Sequence, residues 1–277
     1  MSGAVFGLIM FAAALHASWN AIVKAGQNKL LTTVLVTTSA AIWAAILLPF
    51  LPSPDSQSWP YIALSVALQI LYFALLARIY RIADMSQTYP LMRGVAPLIV
   101  ALAAIVMLGE IPSRNAGSGI IIICSGILMM LFTAGRQGRS GLALALLNAV
   151  VIGGYTLVDG VGVRLSAAPV AYTLWIFLLT GAGIALYAAL TRLSEARQYL
   201  RINWRLGVVG GFGTLTSYGL ALYAMTLAPV AVVAALRETS ILFAVAISGV
   251  FLKEQVGRIR LLAVCVIALG AFTVRLA

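Results

Sequence analysis

The stretch Tyr89–Glu110, YPLMRGVAPLIVALAAIVMLGE, decides how this chain is read, because a version of it is written twice. The second copy is Val233–Glu254, VAALRETSILFAVAISGVFLKE; Arg237 follows Arg93 by 144 positions, and Glu254 follows Glu110 by the same 144. A helix crosses a hydrocarbon core of roughly 30 Å in about 20 apolar residues, so each copy is long enough to span a bilayer. Each carries one arginine near its start and one glutamate at its end. Arginine at that depth is costly in hydrocarbon, so it should face protein or a water-filled cavity.

Composition agrees. The 277 residues are 62% hydrophobic and 9% charged, with a mean hydropathy of +1.06, where soluble domains carry about 25% charged residues. The short alternating runs of a membrane barrel are absent, so the chain reads as an all-α integral membrane protein. The net charge of +11 does not point to nucleic acid, because the 18 Lys and Arg are scattered singly through short connections rather than gathered in a basic arm or face. Cys124 and Cys265 both fall inside apolar spans, so neither a disulfide framework nor a metal site is expected. The start, MSGAVFGLIM, lacks a basic leader region and is read as part of a retained first helix.

Punctuation by Pro, Gly, Asn and charge gives ten transmembrane helices. The first five run over Gly3–Lys24, Leu30–Phe50, Trp59–Arg81, Ser86–Leu108 and Ala116–Ala134. The second five run over Gly141–Val163, Val170–Leu190, Trp204–Leu227, Val230–Leu252 and Ile259–Arg275. The chain divides into repeats at residues 1–137 and 138–277. An odd number of spans per repeat turns the second upside down, giving inverted five-helix repeats with a site expected near the midplane. Connections after odd-numbered spans hold 13 basic residues and those on the opposite side hold three, so the positive-inside rule places the odd connections in the cytoplasm and both termini outside.

Ten helices in a five-plus-five arrangement, the first-helix run LHASWNAIVKAG and the two segments ending LGE and LKE together resemble the EamA family of the drug/metabolite transporter superfamily. The resemblance covers nearly the whole chain. It implies secondary transport through a central cavity lined chiefly by the first, third, fourth, sixth, eighth and ninth helices. No GxxxxGK[ST] phosphate loop is present, which fits transport without ATP hydrolysis.

The site candidates follow from polar groups at membrane depth. Arg93 and Arg237 can clamp an anion through paired hydrogen bonds; the competing reading neutralises Arg237 on adjacent Glu238, which leaves Arg93 favoured as the substrate contact. His16, Asn20 and Lys24 recur every four residues on one helix face, with Trp19 beside them. The lone histidine is a candidate for both substrate contact and proton coupling. Tyr155 and Asp159 share a face of the sixth span; Asp159 is a proton-coupling candidate, with pairing to Arg164 near the surface as the expected alternative. Glu238 is a further proton-coupling candidate. Gln69, Tyr72, Tyr80, Tyr89, Thr214, Ser217 and Tyr218 add polar-tipped groups suited to a cavity wall. Glu110 and Glu254 are assigned to structure, at turns where a carboxylate favours a helix N-terminus and Ser113 can cap. Pro90 and Pro97 are expected to loosen the fourth span around Arg93. Small residues on the fifth and tenth helices suit internal packing or a homodimer.

The function expected is export of amino acids, or of amino-acid-like zwitterions or anions, by alternating access through the central cavity. The alternatives are import or exchange of a phosphonate, a sugar derivative or a choline-like cation. Outside transport stand a polytopic assembly protein and an intramembrane enzyme. An enzyme would need a nucleophile and base, or metal ligands, clustered at membrane depth, and one histidine does not supply that. No cofactor or metal is expected. Expected partners are a small-molecule substrate, with or without protons, and lipid. The expected location is the cell inner membrane.

Overall fold

The computed structural model describes residues 1–25, 28–83, 85–133, 139–250 and 257–277. Glu254 and the side chains of Lys24 and Tyr80 lie outside the described residues. The elements are α1 (Gly3–Ala25), α2 (Lys29–Leu47), α3 (Trp59–Ile82), α4 (Met85–Leu108), α5 (Arg114–Met129), α6 (Arg139–Leu165), α7 (Pro169–Met225), α8 (Val230–Arg237), α9 (Ser240–Val250) and α10 (Arg258–Arg275). Among the described residues there is no strand, and eight helical stretches are long and apolar enough to cross a membrane. Phe11, Leu102, Val106 and Ile121 stand more than half exposed, an apolar outer surface that suits lipid rather than water.

Local chemistry sets the helix starts. Asn28 accepts the Leu31 N–H at 3.1 Å ahead of α2, and Ser113 accepts the Ala116 N–H at 3.2 Å ahead of α5, each filling a donor that the first helical turn leaves open. α8 is apolar all round and buried from Val230 through Leu236, as a central helix must be.

Three expectations about the spans can be set against the described residues. The chain from Pro169 to Met225 is helical apart from non-helical backbone at Arg192 and Asn203, two kinks that divide it into two long arms where separate seventh and eighth spans were expected. The linking run LSEARQYLRI contains neither Gly nor Pro and is rich in good helix formers, so the chain bends instead of ending. It still doubles back. Gly181 and Gly211 both lie against residues 37–41 of α2, yet 30 residues of straight helix would separate them by about 45 Å. Phe177 also meets Tyr218 with ring centroids 5.9 Å apart, so the two arms lie side by side.

The second concerns the two prolines. α4 stays helical through Pro90 and Pro97, and Pro97, having no N–H, leaves the Arg93 carbonyl without its ladder donor. The break comes in the second copy, where Glu238 and Thr239 separate α8 from α9. There the N–H groups of Glu238 and Thr239 bond carbonyls three residues back, at 3.1 and 3.0 Å. The Thr239 hydroxyl donates to the Leu236 carbonyl at 2.6 Å, a side-chain bond that competes with the regular ladder.

Third, α10 is not among the eight stretches, because its 18 residues include Arg258, Arg260 and Arg275. It packs on α5 backbone to backbone. A methyl added at Gly119 would lie 2.8 Å from the Gly270 carbonyl oxygen, and one at Gly270 would lie 2.7 Å from the Ile123 nitrogen. These small-residue faces of α5 and α10 are therefore occupied within one chain.

Candidate substrate site

α1, α3, α4 and α6 converge on a cavity of about 50 Å³ lined by His16, Trp19, Asn20, Tyr72, Tyr89, Met92, Arg93 and Ile152. A space of that size takes a few water molecules, so a larger solute needs the walls to move. Trp19 and Asn20 lie near the end of α1 and Tyr89 near the start of α4, which sets the cavity toward the face that carries the basic connections.

The α1 face is held locally. The Trp19 indole Nε1 donates to His16 Nδ1 at 3.3 Å, and the Asn20 amide donates to the His16 carbonyl at 2.8 Å. His16 is thus fixed by its own helix while still lining the cavity.

Arg93 reaches from α4 to the break between α8 and α9. Its Nε touches Glu238 Oε2 at 2.7 Å, with side chains only 12% and 8% exposed, and Nη2 donates to Ser240 Oγ at 3.3 Å. The Nε–Oε2 contact is an ion pair without an aligned hydrogen bond. The guanidinium also lies 5.9 Å from the centroid of the Tyr89 ring. This overturns the expectation that Glu238 neutralises its neighbour Arg237. Consecutive residues on a helix point in different directions, and the acid serves the arginine of the other sequence copy.

Arg237 makes no ion pair among the described residues. Its guanidinium sits 4.8 Å over the Tyr218 ring, a cation–π contact. The Tyr218 hydroxyl in turn donates to Asp159 Oδ2. Asp159 is fully buried and also accepts from the Tyr172 hydroxyl at 3.2 Å and from the Ser65 hydroxyl. Pairing of Asp159 with Arg164 is therefore contradicted: the carboxylate lies inside the bundle among hydroxyl donors. Tyr155 joins the two regions, its ring 6.0 Å from Tyr72 and 6.5 Å from Tyr218.

Arg164 is occupied elsewhere. It pairs with Glu110, and it donates to the carbonyls of Met225 at 2.7 Å and Ala228 at 3.0 Å. Glu110 Oε2 accepts the Val230 N–H at 2.8 Å. The structural role expected of Glu110 holds, but the helix it caps is α8, not α5. The cluster ties together the ends of α4, α6 and α7 and the start of α8, on the face opposite the cavity.

The candidates His16, Trp19, Asn20, Tyr72, Tyr89 and Arg93 thus meet around one cavity, and Tyr155, Tyr218, Asp159, Arg237 and Glu238 form a connected polar region beside it. Ser217 is instead a helix tie, donating to the Ala12 carbonyl at 3.1 Å. Sequence reasoning missed Ser65, Tyr172 and Ser240, which touch the charged groups only through tertiary packing. It also missed Asn148, fully buried, whose amide donates to the Met92 sulfur at 3.1 Å. Its place four residues before Ile152 on one helix face was the available signal.

Residues 139–276 match the model of the EamA-like transporter family. No curated protein matches the chain. A solved crystal structure, titled only as that of a protein, superposes on 98% of this chain and 95% of its own, with a TM-score of 0.75 and 17% identity. That likeness is one of fold alone. With the second half of the sequence matching the family model and eight apolar helical stretches in the fold, the chain is a multi-pass membrane protein that belongs to the EamA-like transporter family of the drug/metabolite transporter superfamily.

Proposed function

We propose that the chain is a secondary transporter that exports amino acids, or similar small zwitterions and anions, across the cell inner membrane by alternating access. In this reading residues 1–137 and 138–277 are two inverted five-helix halves, with the arms of α7 as two separate crossings. The observation that carries the proposal is the set Arg93, Arg237, Asp159 and Glu238, two half-buried cations and two buried carboxylates at and beside one cavity. Charge at that depth marks a solute or ion path.

Both arginines stay candidates for the anion: Arg93 lines the cavity, and Arg237 makes no ion pair among the described residues. Asp159 is the favoured proton carrier of the three candidates. Its donors are hydroxyls, which can turn to accept when the acid takes a proton. Export is favoured by a cavity set toward the basic face, which the positive-inside rule assigns to the cytoplasm, while Glu110 and Arg164 tie the opposite ends together.

The test is counterflow in proteoliposomes preloaded with unlabelled amino acids, with labelled tracer outside. Wild type should accumulate tracer, and Arg237→Ala should lose accumulation while retaining its melting behaviour in detergent. Lack of accumulation with every amino acid would refute the solute class and turn attention to phosphonates, sugars and cations.

A further inference from the structure

The Arg93–Glu238 contact combines properties that a purely structural ion pair does not need. It joins α4 to the α8–α9 break, so it links the two sequence copies. Both side chains are nearly buried, yet Arg93 also lines the cavity. Ser240 holds the Nη2 corner of the guanidinium, and Arg93 Nε meets Glu238 Oε2 at 2.7 Å. The two ions therefore hold each other directly, and a solute that reaches Arg93 from the cavity has to replace that contact.

We infer that the Arg93–Glu238 pair is a charge filter, which parts only for a solute carrying an anionic and a cationic group together, the anion taking Arg93 and the cation taking Glu238. This rests on the transport reading above. Separating a buried pair is strongly unfavourable when one ion is left alone. A plain carboxylate that takes Arg93 strands Glu238, and a plain amine that takes Glu238 strands Arg93. A zwitterion compensates both, through charge-assisted hydrogen bonds at each end.

The surroundings enforce the same rule. Among the described residues, the other charged groups near the pair are Arg237, over the Tyr218 ring, and Asp159, held by hydroxyls. The two arginines and two carboxylates are equal in number, so a solute without net charge preserves the balance and a singly charged one does not. The class selected is the α-amino acid, or another zwitterion with its charges on neighbouring atoms.

The experiment uses full-length protein in proteoliposomes exchanging labelled alanine, leucine or phenylalanine. Competitors are the same amino acids unlabelled and their hydroxy-acid isosteres, lactate, 2-hydroxy-4-methylpentanoate and 3-phenyllactate, which lack only the ammonium group. In wild type each hydroxy acid should compete at least about tenfold more weakly than its amino acid. In Glu238→Gln, where no carboxylate demands a cation, the gap should shrink to about threefold or less, and Glu238→Asp should restore it. Equal competition in wild type overturns the filter, and that comparison needs no variant to fold. A gap unchanged in Glu238→Gln overturns it too. Exchange of none of the three amino acids, with exchange of a phosphonate, sugar or choline, refutes the transport reading of solute class and this inference with it; amino-acid exchange with indifferent competition refutes the filter alone.

Discussion

Replacing Glu110 should loosen the face opposite the cavity by a predictable amount. One carboxylate oxygen caps α8 through the Val230 N–H and the other pairs with Arg164. Loss of a helix cap costs about 1 kcal/mol. The ion pair is worth less than a buried one, since the Arg164 side chain is 34% exposed and Glu110 17%; discounted for water, it adds about 1 kcal/mol. Glu110→Ala should therefore destabilise by about 2 kcal/mol, and Glu110→Gln, which keeps an acceptor for Val230, by about 1 kcal/mol. Arg164→Met should cost about 3 kcal/mol, about 1 kcal/mol for the same ion pair and about 1 kcal/mol for each of the Met225 and Ala228 carbonyls that lose their donor. The pair shares one interaction, so the double variant should fall about 1 kcal/mol short of the sum. Equilibrium unfolding in mixed detergent micelles measures each value. Additivity within about 0.3 kcal/mol, or a Glu110→Ala variant as stable as wild type, would refute the reasoning.

Three further outcomes follow from particular contacts. Gly270→Ala should destabilise by about 1–3 kcal/mol because its new methyl meets the backbone of Ile123 and Gly119, whereas Gly117→Ala, with open space around it, should be neutral or stabilising; thermal melts in detergent compare them. Asp159→Asn should keep solute exchange in counterflow but lose uptake driven by a pH gradient, while equal loss of both would assign Asp159 to solute binding or folding. Tyr199→Phe removes the 2.7 Å bond to the Thr32 hydroxyl and should cost about 1 kcal/mol, read in the same unfolding assay.

The fold was legible where one physical requirement dominates. Hydropathy together with punctuation by Pro, Gly, Asn and charge located the apolar helical stretches, and spacing by four grouped the α1 face that lines the cavity. What was not legible depends on which helices pack together. Nothing in the run LRETS says that Glu238 turns from Arg237 to an arginine 145 positions earlier; only the docking of α4 against the α8–α9 break decides it. Asp159 was read as near a surface because the expected sixth span ends at Val163, about one turn beyond it, yet the Tyr172 and Tyr218 side chains from α7 enclose it. The bend at Arg192 was hidden for the opposite reason. A polar, charged run reads as a loop on composition, while its residues individually favour helix, and in the folded chain the run is helical between the kinks at Arg192 and Asn203.

The glycine contact between α5 and α10 has a mechanical consequence. The backbones approach closely at Gly119, Gly126 and Gly270, with the Val274, Ile267 and Ile123 side chains filling the seam beside them, so their separation stays nearly fixed. In the alternating-access reading proposed above, a rotation of the two sequence copies against each other would have its fulcrum along this seam, with displacement growing with distance from it. The α1–α3 side of the cavity would then swing widely while the α5–α10 line stays still, so spin labels placed across the two should report opposite amplitudes.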